Sequence, residues 1–426
     1  MKIKPSAKQL RFLDWEMGMF YHFGIRTFFP DHVDWDGKPM PASAFDPKEL
    51  DCRQWIRTAK DLGCKYAILV CKHHDGFANW PSAYTDYSVA ASPWKDGKGD
   101  VVREFTDACR EYGLKVGLYY SPAQWQGNVS FDDETAYDDY FINQISELLS
   151  NYGQIDYLWF DACGSGDHQY DRDRIVGVIR SLQPEILIFN MWDPDTRWVG
   201  NEDGYAPEPN WSAVERIDYS MMHAELKNLG GAKYLPAECD MRLHRTWFYG
   251  GPDDTSMKSI AHLAGIYEYS VGRGANLLIN VAPDDRGLIP DEYVARLHQL
   301  RAELDRRYGS PLPFGEIKAD PDRESTVCIE SDDWNEEFDQ NAGNYLVDAV
   351  ILEEDTTDGE SVGRFRVLVN MPGYKPKQLC VYEGTTVGHK RICKFPAVNT
   401  GRISVEVLES DGSWKLKKLT AYYSGN

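Results

Sequence analysis

The chain has 426 residues, enough for one large domain and a smaller one. Its 46 Lys and Arg against 67 Asp and Glu leave a formal charge of −21, which repels phosphate backbones and excludes non-specific nucleic-acid binding. With 42% hydrophobic residues a sizeable core can form, yet no apolar run approaches the roughly 18 residues of a membrane helix, so no membrane span is expected.

The start, Met1 to Leu10, carries Lys2, Lys4 and Lys8 but no apolar stretch, so no signal peptide is read there. Localisation is left between the cytoplasm and a secreted or periplasmic form whose leader has been trimmed. The first apolar run ends in Tyr21-His22-Phe23-Gly24. A helical pattern from Leu50 to Leu62 leads to the strand candidate Lys65 to Cys71, closed by Lys72-His73-His74-Asp75-Gly76. A helix from Asp100 to Tyr112 leads to a strand from Leu114 to Ser121. Next come a helix from Ala136 to Tyr152, a strand from Asp156 to Asp161, a helix from Asp171 to Leu182 and a strand from Glu185 to Met191. A short run from Lys233 to Ala237 is closed by Glu238, and a late strand covers Asn276 to Val281. Gly63, Gly113 and Gly153 sit where a left-handed residue would close a helix. Near-continuous apolar strands alternating with amphipathic helices predict a parallel sheet covered on its outer face.

Polar residues at the carboxyl ends of many strands decide between an open sheet and a barrel. An open sheet concentrates function at one switch point, whereas a (β/α)8 barrel converges all its strand ends on one centre. No GxGxxG follows an early strand, so no dinucleotide cofactor is expected. From about Tyr308 the texture changes. Prolines Pro311, Pro313 and Pro321 precede short β-like segments with no long amphipathic helix. The expected fold is α/β: a (β/α)8-like barrel over residues 1–310 and an antiparallel β-sandwich over residues 311–426. The cysteines lack a CxxC pair, and Cys64, Cys71, Cys109 and Cys163 lie in or beside apolar runs as free thiols.

The chemistry-bearing candidates are carboxylates set among aromatics. Asp161 follows Tyr157-Leu158-Trp159-Phe160 and would face the barrel mouth, where a strand end fixes a nucleophile; as a bland alternative it caps a helix or loop. Glu202 stands in the loop Arg197 to Gly204, between Trp198 and Tyr205, whose faces would raise its pKa and suit it as a general acid. Glu238 is the alternative acid, or else the partner of Arg242. His22, His73 and His74 can bind sugar hydroxyls; a metal cluster with Asp161 is the competing reading and is not expected. Two carboxylates flanked by aromatics and histidines suit glycoside hydrolysis, and no GxSxG elbow is present.

Taken together, Met19 to Gly24, Lys72 to Phe77, Gly117 to Ser121, Trp159-Phe160-Asp161 and Ser270 to Val281 resemble the α-L-fucosidases of glycoside hydrolase family 29. The resemblance runs from about residue 12 to 300 and implies no cofactor. It implies that Asp161 is the nucleophile and that His22, His73 and His74 bind fucose. Tyr120, Trp159, Arg242 and Trp247 complete the expected substrate-binding set. Trp198-Val199-Gly200-Asn201-Glu202 resembles the branch that prefers α-1,3/1,4 linkages, with Glu202 as acid/base. The implied activity is a retaining exo-α-L-fucosidase acting on a fucosylated glycan by double displacement. An inactive fucose-binding, lectin-like relative and a metal-assisted hydrolase are the alternatives. One departure is Ala162-Cys163, where the family more often has Gly after the nucleophile.

Overall fold

The computed structural model describes residues 2–165, 168–217, 228–321, 323–334, 344–371 and 377–425. Eight parallel strands form the barrel: β1 (Met17–Tyr21), β2 (Tyr66–Lys72), β3 (Lys115–Tyr120), β4 (Tyr157–Phe160), β5 (Leu187–Phe189), β6 (Arg197–Trp198), β7 (Ala237–Arg242) and β8 (Asn276–Asn280). Their order is β5-β4-β3-β2-β1-β8-β7-β6, and a single parallel bridge between Phe189 and Thr196 brings the two edges together. Closure of this kind leaves almost no exposed edge.

Five helices cover the strands: α2 (Cys52–Leu62), α3 (Val101–Tyr112), α4 (Glu134–Asn151), α6 (Ile260–Ser270) and α7 (Asp291–Tyr308), with α5 (Arg172–Leu182) beside α4. Asp51, Asp100, Asp133 and Asp171 each cap the start of a helix by accepting a backbone N–H. Such a cap contributes about 1 kcal/mol. Gly63 and Gly113 end α2 and α3 at φ 102° and 75°, as the glycine pattern anticipates. The short helix α1 (Ala7–Leu13) closes the amino-terminal end of the barrel. Its Phe12 packs edge-on to Tyr157 with ring centroids 5.4 Å apart.

Alternation along the strands builds two cores. Phe20, Tyr66, Ile68, Tyr119, Tyr157, Trp159 and Phe189 fill the barrel interior, while Tyr21, Leu69, Leu118, Tyr120 and Phe160 face the helices. Gly18 in β1 is required by the close approach of Tyr66. A Cβ there would stand 2.4 Å from the ring, so any side chain would push that ring out of the floor.

The carboxyl-terminal strands are antiparallel: β9 (Lys318–Ala319), β10 (Thr326–Glu330), β11 (Tyr345–Glu354), β12 (Val362–Met371), β13 (Lys377–Gly384), β14 (Arg391–Thr400), β15 (Arg402–Ser410) and β16 (Leu416–Tyr422). They form sheets ordered β9-β10-β15-β12-β13 and β14-β11-β16 around a second apolar core. This unit grips the barrel by buried polar contacts. Glu360 accepts from the Ser212 N–H at 2.8 Å and its hydroxyl at 2.7 Å, and Arg391 pairs with Glu208. Both anchors hold the segment between β6 and β7. The nine cysteines are all free thiols, and none of the described helices is long and apolar enough to cross a membrane.

Two boundaries differ from the sequence reading. Arg197–Trp198, expected within a loop, is the sixth barrel strand. The seventh strand begins at Ala237 rather than ending there, because residues up to Tyr234 belong to a separate hairpin (Ala213–Arg216 with Asn228–Tyr234). That shift sends Glu238 to the base of a strand instead of its tip.

Candidate active site

The carboxyl ends of the strands surround a cavity lined by His22, His73, His74, Tyr119, Trp159, Asp161, Trp198, Glu202, Asp240 and Trp247, among others. The strands therefore converge seven of the sequence-predicted residues on one space: Asp161, Glu202, His22, His73, His74, Trp159 and Trp247.

Asp161 follows the last residue of β4 and keeps 25% of its side chain exposed. Oδ1 accepts the Cys163 backbone N–H at 2.9 Å, and Oδ2 accepts the Tyr119 hydroxyl at 2.9 Å. His74 Nε2 lies 3.4 Å from Oδ2. Burial alone would raise this carboxyl's pKa, but the His74 charge and these hydrogen bonds outweigh it and hold the group at about 2. The group is an anion at every working pH, with one face open to the cavity.

His74 is the counter-ion. The Ser121 hydroxyl donates to the Ala123 carbonyl at 2.7 Å, so its oxygen is free to accept from His74 Nδ1 at 2.6 Å. With Nε2 facing a carboxylate, both ring nitrogens act as donors. Burial opposes that charge, yet Asp161 dominates and lifts the imidazole to about 10. His22 and His73 are the reverse case. Burial lowers His22 to about 3, against the pull of its Asn280 hydrogen bond at 2.7 Å. Burial, then the His74 and His22 charges, lower His73 well below the usual imidazole range. His73 Nδ1 is buried without a hydrogen-bond partner among the described residues, 3.8 Å from Asp34 Oδ1.

His73, His74 and Asp161 place one candidate ligand atom each within 4.8 Å of one another. In this arrangement His74 Nε2 faces Asp161 as an ion pair, with the His73 ring beside it.

Glu202 stands on the loop after β6, 3.3 Å from Arg242, whose guanidinium lies 5.3 Å from the centre of the Trp247 ring. Burial raises its pKa, and the nearby Asp161 anion adds to the rise against the pull of Arg242. Sequence reasoning named Trp198 and Tyr205 as the groups that raise this pKa; Tyr205 is exposed, and the groups that meet Glu202, Arg242 and Trp247, both act to lower it. Arg242 itself meets Glu202 and not Glu238.

Glu238 is fully buried beneath the cavity. It accepts from the Tyr66 hydroxyl at 2.6 Å, the Trp159 indole at 2.8 Å and the Tyr157 hydroxyl at 3.4 Å. Burial outweighs these bonds and pushes it up to about 7. It does not line the cavity. Tyr120 needs a correction as well: its side chain points to the helix side, where its hydroxyl donates to Gln144 Oε1 at 2.7 Å. Its neighbour Tyr119 lines the cavity instead. Successive strand residues face opposite ways, and two adjacent tyrosines in an all-apolar strand give no sign of which faces in.

Sequence reasoning also missed Asp240 and Asp34 among the lining residues. Asp240 is separated from Glu238 by one residue, so the correct start of β7 would have placed both on the inner face.

The sequence profile described as alpha-L-fucosidase matches residues 27–307. Alpha-L-fucosidase 1 of Arabidopsis thaliana is 34% identical over 420 residues, covering 92% of this chain and 81% of its own. Human plasma alpha-L-fucosidase is 33% identical over 339 residues, covering 70% of this chain and 66% of its own. A glycoside hydrolase 29 family member from an unknown rumen bacterium superposes with a TM-score of 0.87 at 32% identity, covering 100% of this chain and 78% of that one. With these matches, and a strand-end aspartate, a second carboxyl and three histidines around one cavity, the chain belongs to the α-L-fucosidases of glycoside hydrolase family 29.

Proposed function

We propose that this α-L-fucosidase works with retention of configuration, using Asp161 as nucleophile and Glu202 as acid/base, and that residues 1–310 are its catalytic part. The observation that carries the reading is Asp161. It is a rigidly held anion, with every hydrogen bond on it set by strand and strand-end residues. A carboxylate oxygen attacks the anomeric carbon, and the glycosidic C–O bond breaks. Glu202, protonated, gives its proton to the leaving oxygen. Glu202 then takes a proton from water as that water attacks the same carbon and releases Asp161. His22, His73, Trp159 and Trp247 line the same cavity, and on this reading they meet the hydroxyls and faces of the terminal sugar.

The finer preference, for fucose α-1,3/1,4-linked in branched glycans, rests on a narrower base than the loop composition suggests. Trp192 packs with Phe141 and Phe160, Asp193 and Asp195 are held by Arg180, and Glu208 is held by Arg391. Of the aromatic and acidic residues from Trp192 to Trp211, Trp198, Asp203, Tyr205 and Trp211 remain to contact an aglycone sugar. Proton NMR of the first-formed anomer from a Lewis-type trisaccharide and from 2′-fucosyllactose tests both parts. The expected result is the α-anomer from each and faster release from the Lewis-type substrate. Appearance of the β-anomer first would overturn retention, and equal rates would remove the linkage preference.

A further inference from the structure

Strand β7 presents three ionisable side chains to the barrel interior in successive layers. Glu238 is locked into the floor by Tyr66, Tyr157 and Trp159, and Arg242 at the rim meets Glu202 and Trp247. Asp240 lies between them and lines the sugar cavity while only 4% exposed. Its Oδ1 accepts the Trp198 indole N–H at 2.7 Å. Among the described residues no Lys, Arg or His forms an ion pair with it, unlike Asp161 and Glu202. A carboxyl buried without a cation keeps its proton instead of its charge. Burial first, then the Glu202 and Glu238 carboxyls, raise its proton affinity well above the ordinary range, against the Trp198 hydrogen bond.

A protonated carboxyl offers what an ionised one does not, an O–H donor. Asp161, ionised in the same cavity, only accepts. We infer that Asp240 is a further substrate-contacting residue, which meets the bound sugar as a neutral acid, donating to one sugar oxygen while its other oxygen holds Trp198. This inference rests on reading the cavity as the fucose site.

The test uses the full chain with Asp240→Asn and Asp240→Ala. Asparagine keeps an acceptor for the indole and supplies an N–H donor without charge; alanine removes both. Calorimetric titration with L-fucose and with its monodeoxy analogues is paired with pH profiles on an aryl α-L-fucoside. Asp240→Asn should stay within about 5-fold of wild type and follow its pH profile from 5 to 8, whereas Asp240→Ala should bind about 10- to 100-fold more weakly. One monodeoxy analogue should lose about 10-fold against wild type and nothing further against Asp240→Ala. A merely structural role in holding Trp198 would leave all analogues losing equally on both proteins, and that result overturns the proposal. So does Asp240→Asn binding as weakly as Asp240→Ala, which would show that the negative charge is needed. If Asp240→Ala fails to fold, the asparagine variant decides alone: a pH profile that departs from wild type between 5 and 8 means Asp240 ionises there, and the inference falls. A wild type that turns over and binds fucose while these variants disagree isolates the failure to Asp240. A wild type that does neither brings down the fucose reading together with it.

Discussion

The two halves of the barrel are built differently, and the two carboxyls of the proposed mechanism are divided between them. Strands β2 and β3 have seven and six residues, are covered by α2, α3 and α4, and lead directly to β4 and Asp161. In the other half β5 has three residues and β6 has two. The connection between those two carries no helix, only a tight turn in which Asn190 and Trp192 adopt φ of 60° and 58°. Non-glycine residues in that region are strained, and such strain is found where a site demands it. Here the turn brings Asn190 Oδ1 to the Trp198 backbone N–H at 3.1 Å and aims the following loop, with Glu202, back over the cavity. On the proposed mechanism the regular half holds the nucleophile, which must not move, and the irregular half carries the acid, which must reach a leaving oxygen of variable surroundings.

The largest effect should come from the regular half. Asp161→Ala removes the carboxylate at the β4 end that lines the cavity and should lower kcat on an aryl α-L-fucoside by about 10⁴-fold or more, with the fold intact by circular dichroism. Azide added to that variant should restore a fucosyl azide product of inverted anomeric configuration. Near-normal turnover would move the nucleophile elsewhere and break the division between halves.

Glu202 should give a smaller and leaving-group-dependent loss. On a natural glycan Glu202→Ala should lose about 10²–10⁴-fold, while on a nitrophenyl fucoside, whose phenolate needs little protonation, the loss in the fucosyl-transfer step should be far smaller. The pH profile has the matching sign. Asp161, held at about 2, is ionised across the accessible range, so it sets no acid limb near neutrality. Glu202 must carry its proton, so kcat/KM should fall as pH rises through its raised pKa. That alkaline limb should disappear in Glu202→Gln measured on the nitrophenyl substrate. Its persistence there would assign the acid to another group.

How much of this was legible in the chain follows the same division. Where a strand is covered by helices, its apolar run, the amphipathic helix and the closing glycine are local signals, and β2 to β4 with α2 to α5 stand within a residue or two of expectation. Asp161, His22, His73 and His74 were readable because each directly follows such a strand. Strand β6 was not readable, since two residues carry no period. The start of β7 was hidden because Glu238 looks like a loop residue; the three donors that let it be buried come from β2 and β4, far away in sequence. The choice between Tyr119 and Tyr120 had no local signal either, because both faces of a parallel strand are apolar.

Glu238 offers the finest test, since it shares a strand with the site yet lies outside the cavity. Its carboxyl is pushed up to about 7 in the folded chain, against about 4.3 for an ordinary glutamate. Between those values the folded state holds a proton that the unfolded state has lost. Its contribution to stability is therefore whole below the unfolded pKa and is lost as pH rises through the folded one. Glu354, at about 7, and Asp75, at about 6, titrate in the same window, so the slope of the wild type alone decides nothing. The quantity to read is the difference between wild type and Glu238→Gln. The variant cannot ionise, so its melting temperature should fall less from pH 5 to pH 8 than that of the wild type. Turnover should drop by no more than about 10-fold, because glutamine still offers an acceptor to the Trp159 indole. Parallel melting curves would show that Glu238 is ionised throughout. A loss as large as that of Glu202→Ala, with the same dependence on leaving group, would carry the acid from the irregular loop down to the barrel floor.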